Sequence, residues 1–401
     1  MKVVVQKYGG SSVADFEKIK LIAKKISEIA NKDTGIVVVV SAMGKTTNQF
    51  IQMAKEISEN PPRREMDMLL STGERITMSL LCIALSELGI DSISLTGSQC
   101  GIITDDRHNN ARVIEVRPFR VQDELAKGKV VVVGGFQGVS YKRDITTLGR
   151  GGSDTTAIAL SAALNAERCE IYSDVDGVYS ADPEIVKKAK HLDKVSYQHM
   201  QEMSSNGAVV LNSQAVQFAK EKNIAIYARS TFKPGKETIV RNFPHGITKG
   251  VMAVVYEKNI IKVHFNSDKK SIFNKLLDDL ENEQIQIKEL NYFYYEEAKK
   301  FKCSFLISPK DLYSWENIEI KLIENYRFEL KFEKDYSTLS LIGEGLNKDN
   351  SLLIDIIFLL KKNNINIYGI STTSYRISIL VSKENLEKSV KICHTKWIEN
   401  T

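Results

Sequence analysis

Apolar residues in the first 240 positions alternate between two periods. Val3, Val4 and Val5 form a short β-branched run, and Phe16, Ile19, Ile22, Ile26 and Ile29 then recur at helical spacing. Residues 35–44 (GIVVVVSAMG) and 127–138 (KGKVVVVGGFQG) are β-branched runs bounded by glycine, the pattern of buried strands. Residues 169–175 (CEIYSDV) and 223–229 (NIAIYAR) add two more strands, and residues 154–164 read as a helix. This alternation predicts an α/β fold, a mainly parallel three-layer αβα sandwich. Ligands of such folds lie at the carboxyl ends of the strands, where the glycine-rich turns of this chain fall.

Beyond residues 244–250 glycine becomes scarce and Lys, Asn, Ile and Phe more frequent. The pattern there is strand, helix, two strands and helix, followed by a second round from about residue 338. It predicts two ferredoxin-like β-α-β-β-α-β modules. The expected domains are 1–246, 258–335 and 336–401, with the C-terminal segment able to pair with the first module. Paired small modules behind a larger α/β domain point to regulation or assembly.

Charge narrows the possible partners. A net charge of +5 is spread over 401 residues without a basic block, which argues against nucleic-acid or membrane binding. The apolar runs look shorter than the roughly 18 residues of a membrane span. Five scattered cysteines, with no Cys-x-x-Cys, fit a reducing compartment, and a cytoplasmic protein is expected.

Chemistry concentrates in a few turns. In VVVQKYGGSSV (residues 3–13), Val3, Val5 and Lys7 share one strand face. Gly9 and Gly10 let the backbone approach a ligand, and Ser11 or Ser12 could cap the next helix. Together these form a phosphate site with a lysine in reach, although a capped turn beside a solvated lysine reads equally well. LGRGGSDTTA (residues 148–157) is more specific. Its three glycines expose amides at a helix start, Ser153 can cap, Arg150 can hold a carboxylate or phosphate, and Asp154 can hold a lysine or a magnesium-bound water. LLSTGERI (residues 69–76) places Glu74 and Arg75 after a glycine and, taken alone, reads as a solvated helix face. YSDVDGVYSADP (residues 172–183) fails the EF-hand spacing and reads as a nucleotide-receiving loop. AMGKTT (residues 42–47) lacks the first glycine of a Walker A loop, since Val39 stands there. The six histidines are scattered, no Ser/His/Asp triad is evident, and no resident metal site is expected. Any metal would be the magnesium of a nucleotide.

These stretches resemble the aspartokinases, the ATP:aspartate phosphotransferases. KYGGSSV is similar to that family's Lys-Phe-Gly-Gly-Thr-Ser-Val signature. VVVSAMGKTTN, LLSTGERI, SLTGSQCGIITDD, GGFQGV, ITTLGRGGSDTTAIAL and DVDGVYSADP follow in the family's order, and two tandem ACT modules end the chain. The resemblance implies the amino-acid kinase fold, with ATP, Mg2+ and L-aspartate as ligands and a homodimer formed through the ACT modules. It implies that Lys7 reaches the transferring phosphoryl group and that Asp154 holds Lys7. Gly9, Gly10 and Ser41 would cradle phosphates, and Ser173, Asp174, Tyr179 and Asp182 would contact the nucleotide. Glu74 would take the aspartate ammonium and Arg150 its carboxylate, with Thr47, Ser153 and the backbone at Phe136 lining the same pocket. The alternatives are a kinase of another small carboxylate and a non-catalytic regulatory paralogue.

The chain departs from the family in three places. Glu184 stands where an arginine is usual, and Val209, Asn212 and Ser213 replace a Lys…His-Pro pattern. Two phosphate-binding cations are thereby missing, which Lys187, Lys188 or Arg229 could replace. The first ACT turn (NSDKKSI, residues 266–272) lacks Pro-Gly, and aromatics fill residues 292–295 where the family has a polar pair. Weak or absent feedback by lysine or threonine is the consequence expected.

Overall fold

The computed structural model describes residues 2–30, 33–149, 151–233, 235–243, 250–297, 300–312 and 315–400. Arg150 therefore lies outside the described residues. The chain forms two compact units: Met1–Tyr179 with Lys190–Ile247, and Ser180–Ala189 with Thr248–Thr401.

The first unit is built on an eight-stranded sheet. Its order is Lys194–Ser196, Glu237–Arg241, Ile226–Ser230, Arg168–Ser173, Lys2–Tyr8, Thr34–Val40, Val130–Gly134, Ser92–Leu95. Every pair is parallel except Ile226–Ser230 with Glu237–Arg241. Central strands such as Thr34–Val40 are buried on both faces, which accounts for their unbroken valines. Val38, Val40 and Val132 pack with Ile19, Ile22, Leu81 and Leu85 from helices Phe16–Ile29 and Thr72–Glu87. Helix Gly152–Ala163 packs across the same central strands, on the face of Val39. A smaller sheet, Val113–Val116, Ile102–Thr104, Gln137–Ser140, Ile145–Thr147, flanks this sandwich.

One expectation is corrected here. Helices Arg63–Leu70 and Thr72–Glu87 form a 25-residue stretch that is long and apolar enough to cross a membrane by length and composition alone. In this fold Met66, Leu70, Met78, Leu81 and Leu85 of the stretch are core residues, and Asp67 and Glu74 are buried within it.

The second unit carries one antiparallel six-stranded sheet: Lys288–Tyr295, Lys300–Ile307, Gly250–Ser267, Leu330–Glu344, Arg376–Ser382, Gly369–Thr373. Its two long strands serve both modules. Residues 261–267 pair with Lys300–Ile307, whereas residues 250–257 pair with residues 338–344. The strand that the sequence pattern leaves out of the second module is thus supplied from ahead of the first. Segment Ser180–Ala189 belongs to this unit because Ala181 and Val186 complete its core beside Val254, Leu386 and Val390. Ser180 Oγ lies 2.9 Å from His394 Nε2, and His394 Nδ1 lies 3.1 Å from Glu399 Oε1. Ser180 and His394 are completely buried, so this serine–histidine–glutamate chain anchors the segment and has no access for a substrate.

Candidate active site

Strand ends at the carboxyl edge of the first unit's sheet bring the chemistry together. Lys7 projects toward helix Gly152–Ala163, and its Nζ meets Asp154 Oδ1 at 2.6 Å, with both side chains largely buried. A Cβ on Gly9 would lie 3.5 Å from Lys7 Nζ, and one on Gly10 would lie 3.1 Å from the Ala42 carbonyl. Glycine at both positions therefore leaves the lysine uncovered and lets two turns touch. Gly44 N donates to Gly10 O, and Ser41 N donates to Tyr8 O, which ties the turn after Thr34–Val40 to the first. Thr47 lies in the first turn of the helix Thr46–Ile57 that follows.

Glu74 enters from the other side. Its helix approaches so closely that a Cβ on Gly73 would sit 2.8 Å from Ala42 Cβ. Glu74 is 3% exposed; Oε1 accepts from Ala42 N at 3.0 Å, and Oε2 has no hydrogen-bond partner among the described residues. Burial pushes its pKa up to about 8. The solvated helix face read from LLSTGERI alone is thus corrected at Glu74. The unpartnered oxygen is where a cationic group would pair.

The glycine-rich loop closes the site. Gly149 and Gly151 have φ of +71° and +72°, the left-handed region, and Gly151 is the N-cap of helix Gly152–Ala163. Ser153 therefore stands inside the first turn and does not cap. Gly135 permits the approach of Ser153, whose Oγ lies 2.8 Å from where a Cβ would be. Phe136 itself takes φ +67°; its N–H donates to Thr156 Oγ1 and its carbonyl accepts from Leu148 N. Short contacts thereby bring Lys7, Gly9, Gly10, Ser41, Glu74, Phe136, Ser153 and Asp154 to the same edge of the sheet.

The first turn differs from expectation. Helix Phe16–Ile29 is capped by Asp15, which accepts from Lys18 N, so neither Ser11 nor Ser12 caps it. Ser12 is buried and lies 2.6 Å from Thr231 Oγ1, which joins this turn to the end of strand Ile226–Ser230. Ser173 ends the adjacent strand, Asp174 is exposed beyond it, and Tyr179 Oη donates to Asp176 Oδ1 at 2.8 Å. Asp182 lies in the second unit, where Tyr256 Oη and Glu184 N donate to its two oxygens. Arg229 is bound to Glu170 and Glu237, so it is not free to replace a missing phosphate cation. Val209 is 78% exposed. Asn212 caps helix Ser213–Lys222 through Gln214 N and Ala215 N and packs on Gly151, where a Cβ would lie 2.4 Å from Asn212 Cβ.

A buried lysine–aspartate pair, glycine turns and an unpartnered buried carboxylate define a small-molecule phosphotransferase site of the amino acid kinase class. Residues 2–230 match the Amino acid kinase family, and residues 331–395 match an ACT domain. The aspartokinase of Mycolicibacterium smegmatis is 40% identical over 98% of this chain and 96% of its own, and aspartokinase 2 of Bacillus subtilis is 37% identical over 98% and 97%. The structure of E. coli aspartokinase III in complex with aspartate and ADP shares the fold, with a TM-score of 0.80 at 22% identity, over 98% of this chain and 99% of that one. The chain belongs to the aspartokinase family.

Proposed function

We propose that this protein transfers the γ-phosphoryl group of ATP to the side-chain carboxylate of L-aspartate, giving 4-phospho-L-aspartate. The observation that carries the reading is a pair of features at the carboxyl edge of one sheet: Lys7 held by Asp154, and Glu74 with a buried oxygen that has no hydrogen-bond partner among the described residues. The acceptor carboxylate is already ionised at neutral pH, so the reaction needs no strong base. Its demands are alignment and charge neutralisation. Glu74 pairs with the substrate ammonium and so points the far carboxylate at Lys7. Lys7 neutralises charge on the transferring group, and Asp154 fixes its ammonium. The Gly10 amide and the Ser41 hydroxyl bind phosphate oxygens, Gly9 leaves room for them beside Lys7, and amides of the loop before Ser153 bind phosphate and carboxylate oxygens; the Gly9 and Ser41 amides are already given to the Tyr172 and Tyr8 carbonyls. Arg150 serves the amino-acid carboxylate, Thr47 and Phe136 line its pocket, and Ser173, Asp174 and Tyr179 contact the nucleotide. Magnesium enters with the nucleotide as MgATP.

The protein would work in the cytoplasm as a homodimer joined through its ACT modules. ADP release coupled to NADH oxidation, with aspartate, glutamate and N-acetylaspartate as acceptors, tests the reading. Turnover with aspartate alone is expected. Equal turnover with N-acetylaspartate would remove the role given to Glu74, and no turnover with aspartate would overturn the assignment.

A further inference from the structure

Asp67 belongs to none of the features assigned above, yet it is completely buried on helix Arg63–Leu70. Its donors come from two distant segments. His108 Nδ1 reaches Oδ2 at 2.7 Å, while Asn109 N (3.0 Å) and Thr147 Oγ1 (2.5 Å) reach Oδ1. Asn109 adopts φ +69° where it presents its N–H. Thr147 is held at both ends: its hydroxyl by Asp67, and its carbonyl by Ala111 N at 2.9 Å. Leu148 N then donates to Phe136 O, and Gly149 follows, packed so closely on Asn110 that a Cβ would lie 2.7 Å from its Oδ1. Three residues later begins the helix that carries Ser153 and Asp154.

Burial raises the pKa of Asp67, opposed by Thr147, His108 and Asn109 in that order. A buried carboxylate is costly unless its oxygens are occupied. Here both oxygens are occupied by donors that border the glycine-rich loop. We propose that Asp67 is a positioning residue of the phosphotransfer reaction, fixing Thr147 and the 108–110 turn so that the loop entering at Gly149 is held for the amino-acid substrate. This rests on the substrate site described under Proposed function. His108 acts with Asp67 by donating Nδ1–H, and neither side chain touches substrate.

Asp67→Asn keeps the volume but cannot accept from all three donors. It should raise KM for aspartate about tenfold and lower kcat by a similar factor, with KM for MgATP within twofold. Thr147→Val should show a smaller shift in the same direction, and Thr147→Ser, which keeps the hydroxyl, should restore wild-type values. Amide hydrogen exchange over residues 147–154 should quicken in Asp67→Asn and Thr147→Val and not in Thr147→Ser. The exchange readout needs no turnover, so it stands even if wild-type protein fails to phosphorylate aspartate and the proposed function falls. If Asp67→Asn does not fold, the two Thr147 variants decide. Unchanged exchange and kinetics, equal shifts in both KM values, or Thr147→Ser as impaired as Thr147→Val would overturn the proposal.

Discussion

Glu74 should tie substrate affinity to pH, and its burial sets the size of the effect. Its pKa is raised from 4.5 to about 8 because burial outweighs the support its charge receives from its own backbone N–H and from Ala42 N, and Oε2 has no hydrogen-bond partner among the described residues. At pH 7 roughly one molecule in ten carries the anion that an ammonium recognises, and each pH unit further down reduces that fraction about tenfold. The apparent KM for aspartate should therefore fall about tenfold between pH 6 and 7, fall several-fold more by pH 8, and then level. KM for MgATP should stay within about twofold, since the nucleotide does not meet this group. Glu74→Gln removes both the titration and a charge-assisted hydrogen bond of about 1.5–3 kcal/mol. Its KM for aspartate should lie about 10- to 100-fold above the wild-type plateau and stay flat with pH.

The same shift acts on stability with a defined sign. The folded pKa lies above the unfolded one, so the folded protein binds more protons between about pH 4.5 and 8. Ligand-free wild-type protein should lose up to about 1.4 kcal/mol per pH unit as pH rises through that window, a loss absent from Glu74→Gln. Initial rates from ADP release and urea denaturation across the range measure both effects. A flat wild-type KM for aspartate, or a Glu74→Gln profile as steep as the wild type, would refute the reasoning.

Lys7→Met should lower kcat by about 10²–10⁴-fold, the scale of removing a main electrostatic contact to the transition state. It also strands Asp154, so urea denaturation should show a loss of about 3–5 kcal/mol that Asp154→Asn in the same chain relieves. Gly151→Ala places a side chain at φ +72° against Asn212. It should cost more than about 1 kcal/mol by urea denaturation, with Asn212→Gly recovering only the part due to the clash. Val209→Lys should lower the nucleotide Kd in a titration, because the position is exposed and supplies a cation the sequence lacks there. Lysine and threonine, alone or together, should leave the initial rate at subsaturating aspartate unchanged up to millimolar concentration. The first turn of helix Lys270–Asn282 is occupied by Phe273, whose ring lies 5.4 Å from that of Tyr292 on the neighbouring strand.

Features carried by neighbouring residues were legible before the structure. Lys7 follows from strand alternation and a glycine pair two positions on, and Asp154 from its place just after the glycine loop. Glu74 was hidden in isolation because the residues around it look like any helix surface. The signal was Gly73, since glycine inside a helix costs about 1 kcal/mol and marks a close approach by something else. The cap of the first helix was misplaced because two serines follow the glycines, whereas Asp15 stands directly before the periodic run and wins the position. Asp67 with His108, Thr147 and Asn109, and Ser12 with Thr231, could not be read, because their partners are separated by 41 to 219 residues and no local spacing records the pairing.

Segment Ser180–Ala189 shows the same limit at the level of whole units. It continues the nucleotide-loop motif without a break, so sequence order assigns it to the first unit. Yet Ala181 and Val186 lie in the core of the second, and Ser180 is bonded to His394, 214 residues away. Apolar burial of Ala181 and Val186 places the segment with the second unit, whatever its order along the chain. Asp182 follows from that placement. Its carboxylate is spent on Tyr256 and Glu184 N within the second unit, so the motif's last acidic residue anchors the loop's far end, while Asp174 stays exposed at the strand end.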